Sequence, residues 1–186
     1  MPSPQRSASI PTPLILVVMG ISGAGKTTLA LALAGRLGWP FQEGDDLHPP
    51  SNIARMRAGT ALTDQDREPW LAAIARWIGQ QLDAGRSGIV SCSALRRSYR
   101  DRLRAEARQA LRFVFLDVPE TLAHARLQGR SGHFMPATLV HSQSQTLERP
   151  DGEADCLSLS ADQTVDALCD QVCGWLGPAA QNCIRS

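Results

Sequence analysis

The stretch Gly20-Ile21-Ser22-Gly23-Ala24-Gly25-Lys26-Thr27 constrains the fold of this chain more than any other. It satisfies G-x-x-x-x-G-K-[ST] at every specified position, the pattern of a phosphate-binding loop. The spacing has a physical reason. Glycines let the backbone turn tightly enough for successive N–H groups to face phosphate oxygens. Lys26 can reach β- and γ-phosphates, and the Thr27 hydroxyl is a hard oxygen ligand suited to Mg²⁺. The flanks agree with the loop. Residues 14–19 are an unbroken apolar run that reads as a buried strand, and Thr28 to Leu37 is rich in Ala and Leu. The loop therefore opens onto a helix N-terminus, where anions are favoured. The segment Gly20–Thr28 is expected to bind a nucleoside triphosphate.

A chain of 186 residues can bury the core of one domain, and its net charge of +1 creates no field that would gather nucleic acid or a membrane surface. Five cysteines (Cys92, Cys156, Cys169, Cys173, Cys183) contain no C-x-x-C pair, which suits reduced thiols in the cytoplasm. Cys169 and Cys173, four apart, read as small buried side chains rather than as metal ligands. Residues 1–13 are rich in Pro and Ser, carry one Arg and read as a disordered tail, with neither the apolar core of a secretory signal nor the arginines of a transit peptide. No stretch approaches the length of a membrane span. Residues 14–176 are expected to form one domain, with 177–186 a second tail.

Beyond the first helix, Gly38 and Pro40 are stop signals, and a short strand at Phe41–Glu43 runs into Gly44-Asp45-Asp46-Leu47-His48-Pro49. Carboxylates just past a strand lie where ligands bind in open α/β sheets. Asp45 could accept a proton from an attacking hydroxyl, or Asp45 and Asp46 could simply cap a turn. Thr63 is placed as an N-cap, with Pro69 in the first turn of a long helix and Trp70, Ile74, Trp77, Ile78 and Gln81 on its buried face. A third strand at Gly88–Cys92 precedes Ser93, a second candidate cap. Leu95, Tyr99 and Leu103 then form the apolar stripe of a helix whose six arginines (96, 97, 100, 102, 104, 108) read as a solvated face. Asp117 ends a fourth strand, either as a metal-orienting carboxylate or, the preferred reading, as a helix cap. Arg126 and Arg130 flank the break at 131–136, as a lid over a transferring phosphate would need, and a lid is expected over about 130–147.

Several of these stretches together are more specific than the loop. Gly44-Asp45-Asp46-Leu47-His48-Pro49, Asn52-Ile53, Asp66-Arg67 with Pro69-Trp70-Leu71, the run from Cys92-Ser93-Ala94-Leu95 through Arg96, Arg97, Ser98, Tyr99, Arg100 and Asp101, Gly132-His133-Phe134-Met135, and Ser142-Gln143 with Thr146-Leu147-Glu148 occur in that order. In this combination the chain resembles the thermoresistant-type gluconokinases, relatives of shikimate and nucleoside-monophosphate kinases, over roughly residues 14–176. The resemblance implies a three-layer α/β P-loop kinase fold, with a five-stranded parallel sheet of order 2-3-1-4-5, helices on both faces and a small lid. It implies ATP and Mg²⁺, gluconate as acceptor, and a homodimer, with no nucleic-acid or membrane partner. Lys26, Asp45 and Arg130 are then the expected catalytic residues. Arg126 would assist at the nucleotide, and Thr27 would hold the metal with Glu43 helping through water. His48, Arg57, Arg67, Arg96 and Arg97 are candidates for gluconate. Two positions depart from the family pattern: Glu43 replaces the usual Asp, and Ser144 stands where a bulky aromatic is usual. Other readings of the same loop are a kinase of another small hydroxylated acceptor, such as shikimate, and a nucleotide-gated binding protein. An arginine-helix RNA-binding module is a further one.

Overall fold

The apolar run before the phosphate loop is strand β1 (Ile15–Met19), buried along its whole length. In the computed structural model, which describes residues 13–129 and 138–177, β1 is the centre of a five-stranded sheet. It lies between β3 (Gly88–Ser91) and β4 (Leu111–Asp117), with β2 (Phe41–Glu43) and β5 (Cys156–Ser160) at the edges. Every pairing is parallel, and the order is the expected 2-3-1-4-5. Parallel neighbours need crossover connections, which bring helices onto both faces. The reversal of strand order about β1 also puts the loop that follows it at a topological switch point.

Successive side chains of β1 enter different cores because a strand alternates its faces. Leu16 and Val18, with Val114 and Leu116, pack against α1 (Lys26–Leu37) and α7 (Val165–Leu176). Ile15, Val17 and Met19, with Phe113 and Phe115, pack against α3 (Asp64–Asp83) and α4 (Arg97–Ala107). The expected stripe of α3 is buried at Trp70, Ile74 and Ile78, while Trp77 is only partly covered. Cys169 is buried in α7 and Cys173 partly so, as free thiols. Shorter pieces complete the described chain: a 3₁₀ turn at Gly44–Leu47, then α2 (Pro50–Arg57), α5 (Glu120–Gln128) and α6 (Thr138–Thr146). Among the described residues no helix is long and apolar enough to cross a membrane. The expected break at 131–136 lies outside the described residues, as do the expected tails apart from Pro13 and Gly177.

Four local expectations are corrected. Thr63 does cap α3, in a capping box with Asp66, but the helix then starts at Asp64 and Pro69 falls in its second turn. Proline needs only that its missing N–H and the carbonyl four residues back be tolerated, so the long packed face of α3 outweighs it. Ser93 caps nothing: α4 begins at Arg97, its N-cap residue is Arg96, and Leu95 belongs to the turn before it. The carboxylate of Asp117 is not a cap either, since Arg149 pairs with both its oxygens at 3.0 and 2.8 Å.

The fourth correction concerns α4, whose arginine face is not simply solvated. Arg100 is fully buried. Its guanidinium binds the Glu153 carboxylate through Nε and Nη2, and its Nη1 donates to the carbonyls of Ala94 (3.0 Å) and Leu95 (3.3 Å). Arg104 adds a bond to the same carboxylate and pairs with Asp155, its guanidinium over the Phe113 ring. Burial pushes the Glu153 carboxyl up, but the hydrogen bonds from Arg100 and Arg104 prevail and hold it below the usual range. A charge this deep is tolerated only because its donors are matched. The Glu153→Ala substitution is therefore expected to lower folding stability by about 3–5 kcal/mol, the cost of stranding Arg100, measurable by urea denaturation.

Candidate active site

The phosphate loop leaves β1 at the C-terminal edge of the sheet and is shaped by close backbone approaches. Gly23 has φ +81°, and a Cβ there would lie 2.5 Å from the Ala123 carbonyl of α5. The N–H of Gly20 donates to Ser93 O at 3.3 Å, and Ala24 N–H folds back to Ile21 O at 3.2 Å. Lys26 curls over the loop and donates from Nζ to Ile21 O at 3.1 Å. Gly25 precedes α1 with φ +97°, so the loop runs directly into the helix N-terminus. Arg126 approaches from α5, with Nη1 on Ala24 O (3.2 Å) and Nη2 on Ala161 O (2.6 Å). An open cavity beside it is lined by Gly25, Thr28, Arg126, Ala161 and Gln163. The part of the cavity supplied by Ala161 and Gln163 has no sequence signature.

The second group forms where β2 meets β3. Glu43, the last residue of β2, accepts the Thr27 hydroxyl at 2.6 Å through Oε2 and the Ser91 hydroxyl through Oε1. Ser91 in turn accepts the N–H of Gly44 at 3.0 Å, and the backbones approach so closely there that Ser91 O leaves no room for a Cβ on residue 44. Residue 91 carries no motif by itself, so its role emerges only from strand pairing. The buried Cys92 thiol is pushed up to about 12 by desolvation, with Asp45 and Glu43 raising it and Lys26 opposing. Of these, Glu43 is tied to the end of β3 by its bond from Ser91. The Thr27 hydroxyl donates its hydrogen bond to Glu43 and keeps oxygen lone pairs that could serve a magnesium ion, so the pair fits such a site. Among the described residues no group of three or more His, Cys, Asp or Glu could hold a metal.

The third group surrounds His48, whose ring stacks on Trp70 at 4.4 Å with 8° between planes. Trp70 is fixed by its own bond from Nε1 to Gly44 O, at 2.7 Å. His48 is buried, and among the described residues its Nδ1 has no hydrogen-bond partner. Desolvation, with the positive charge of Arg67 adding, lowers its pKa to about 4. Arg67 lies over Tyr99 and donates to its hydroxyl at 3.2 Å. Tyr99 donates to Asp64, and Arg96 reaches the same carboxylate at 2.6 Å. Arg67 and Arg96 are thus brought into one network. Arg57 is exposed at the end of α2, and the exposed Arg97 side chain faces Asp101 along its own helix. Arg130 lies outside the described residues.

Comparisons with known proteins agree with this geometry. A family model described as an AAA domain matches residues 15–150. The gluconokinase of Gluconobacter oxydans (strain 621H) is 48% identical over 86% of this chain and 89% of its own length. The chain belongs to the gluconokinase family. Among solved structures, a gluconokinase from Sinorhizobium meliloti 1021 is 45% identical with a TM-score of 0.80, covering 92% of this chain and 95% of that one. A sugar kinase from Janibacter sp. HTCC2649 is 43% identical with a TM-score of 0.85, covering 91% and 98% respectively. The gluconokinase likeness thus spans all three groups of side chains.

The buried His48 makes a prediction about acid. Its folded pKa, about 4, lies below the ordinary value of 6.5, so the unfolded chain binds the extra proton first. Stability is complete above about pH 6.5 and falls as pH drops toward 4. Denaturation curves across that window should show a His48→Gln variant losing part of the wild-type acid sensitivity, and an NMR titration should find His48 neutral at pH 6.

Proposed function

We propose that this chain transfers the γ-phosphoryl group of ATP to the terminal hydroxyl of gluconate, giving 6-phosphogluconate. The observation that carries this reading is the 48% identity to a gluconokinase along nearly the whole domain. The geometry supports it from two sides. The phosphate loop is tied through Thr27 to Glu43 and Ser91 at the ends of β2 and β3, and a buried imidazole with an unmet ring nitrogen lies near Arg67 of an arginine network. That second group of side chains suits an anionic polyol.

Loop N–H groups and Lys26 hold the phosphates, and Arg126 closes the nucleotide side. Thr27, with Glu43 through water, would hold Mg²⁺, which would supply neutralisation of the phosphate charge. Asp45 orients or deprotonates the attacking hydroxyl. His48 is neutral at physiological pH and so can either donate or accept a hydrogen bond to the polyol. Arg67 and Arg96 are the preferred partners of the gluconate carboxylate, because their network adjoins His48, whereas Arg57 and Arg97 face outward. Arg130, four residues beyond Arg126, is assigned to the charge of the transition state. Residues 14–176 act as one kinase domain with a lid over about 130–147, in a cytoplasmic homodimer, with no nucleic-acid or membrane partner.

A coupled assay of ADP release with ATP, Mg²⁺ and a panel of acceptors tests the reading. Gluconate should be the preferred acceptor. Turnover with shikimate or a nucleoside monophosphate but not with gluconate would overturn the substrate assignment, and no turnover with any acceptor would favour a binding protein. Asp45→Asn should lower kcat by about 10²–10⁴-fold if Asp45 is the base. A variant with near-native kcat would remove that role.

A further inference from the structure

Helix α6 and the turn after it touch both sides of the site. At its start Leu139 packs with Met56 of α2 and with Leu62, on the acceptor side. One turn on, Gln143 Oε1 accepts the Ser22 N–H of the phosphate loop at 2.7 Å, a contact between residues 121 apart in sequence. Five residues later Glu148 makes a two-point clasp on the corner that opens α4. Its N–H donates to Leu95 O at 2.8 Å, and its carboxylate accepts the Arg97 N–H at 2.7 Å. That carboxylate therefore caps a helix to which its own segment does not belong. The same corner carries Ser93 O, the acceptor for Gly20 N–H, and is held from below by buried Arg100. Ala94, within it, has φ +43°, a conformation a non-glycine residue keeps only when its surroundings impose it.

We propose that Gln143 and Glu148 are positioning residues for phosphoryl transfer. Together they form one bridge that sets the crest of the phosphate loop at a fixed distance from the acceptor-side corner. The proposal rests on the kinase reading above. In-line transfer is sensitive to the separation of donor and acceptor, and a bridge tied to both would hold that separation without touching either substrate. Neither bond is needed to bind ATP or gluconate alone.

The test is a double-mutant cycle on kcat. Gln143→Met removes the acceptor for Ser22 N–H while keeping the side-chain length, and Gln143→Asn, too short to reach, serves as a second variant. Glu148→Met removes the cap and Glu148→Gln restores an acceptor oxygen. Each apolar variant should lower kcat about ten-fold, the equivalent of one well-placed hydrogen bond, with the KM values for ATP and gluconate changed much less. If both residues act through one bridge, the double variant should also be down about ten-fold. Independent structural effects would multiply to about a hundred-fold. Glu148→Gln should recover most of what Glu148→Met loses. Multiplicative loss, or loss confined to KM, overturns the proposal. Hydrogen exchange at the Ser22 amide gives a readout free of activity and should speed up in both Gln143 variants. If the wild type fails to phosphorylate gluconate, the functional reading falls, whereas unchanged exchange in the Gln143 variants removes the bridge itself.

Discussion

A loop that is to receive phosphate must keep backbone N–H groups available for its ligand, so the protein has to hold it by other means. Much of this structure answers that constraint. Carbonyls do part of the holding: Ile21 O takes Lys26 and Ala24 O takes Arg126. Two N–H groups at the start of the loop are taken by neighbours, Gly20 by Ser93 O and Ser22 by Gln143. Close packing does the rest, with Gly23 pressed against the backbone of α5. The clamps come from the ends of β3, α5 and α6, far apart in the chain. They meet because a parallel sheet gathers every strand's C-terminal end on one edge.

The same edge organises charge. Glu43 links the loop's Thr27 to Ser91 of the neighbouring strand, so one carboxylate registers the donor side against the sheet. On the acceptor side the arrangement is deeper and more costly. Arg100 is taken out of water to brace the Ala94–Leu95 turn, which is tolerable only with Glu153 and two carbonyls as partners. His48 solves a similar problem by staying neutral, stacked on Trp70.

Much of this was legible in the residues. The loop and its flanking strand and helix could be read directly, since glycine spacing and apolar runs act locally. The stripe of α3, and Thr63 as a cap, were legible for the same reason. The places of Arg67, Arg96 and Arg97 were not, because similar side chains on neighbouring turns differ only in which neighbours they meet. Ser93 looked like a cap by its chemistry, yet the helix waits for Arg97 because Arg100 and Glu148 hold the preceding turn in a different shape. Asp117 had the context of a cap or a metal residue, and Arg149 took it instead.

The sequence by itself determined the donor site, the strand–loop–helix unit around it and, through motif order, the family. Those features depend on backbone conformation and periodicity, which neighbouring residues set. Tertiary structure alone decided that Arg100 is buried while Arg97 is exposed, that Ser91 steadies Glu43, and that Gln143 reaches the loop. Each depends on a partner brought close only by folding: Glu153 and the Leu95 turn for Arg100, β2 beside β3 for Ser91, and α6 beside the phosphate loop for Gln143. Burial and pairing are properties of that proximity, and no local run of residues carries it.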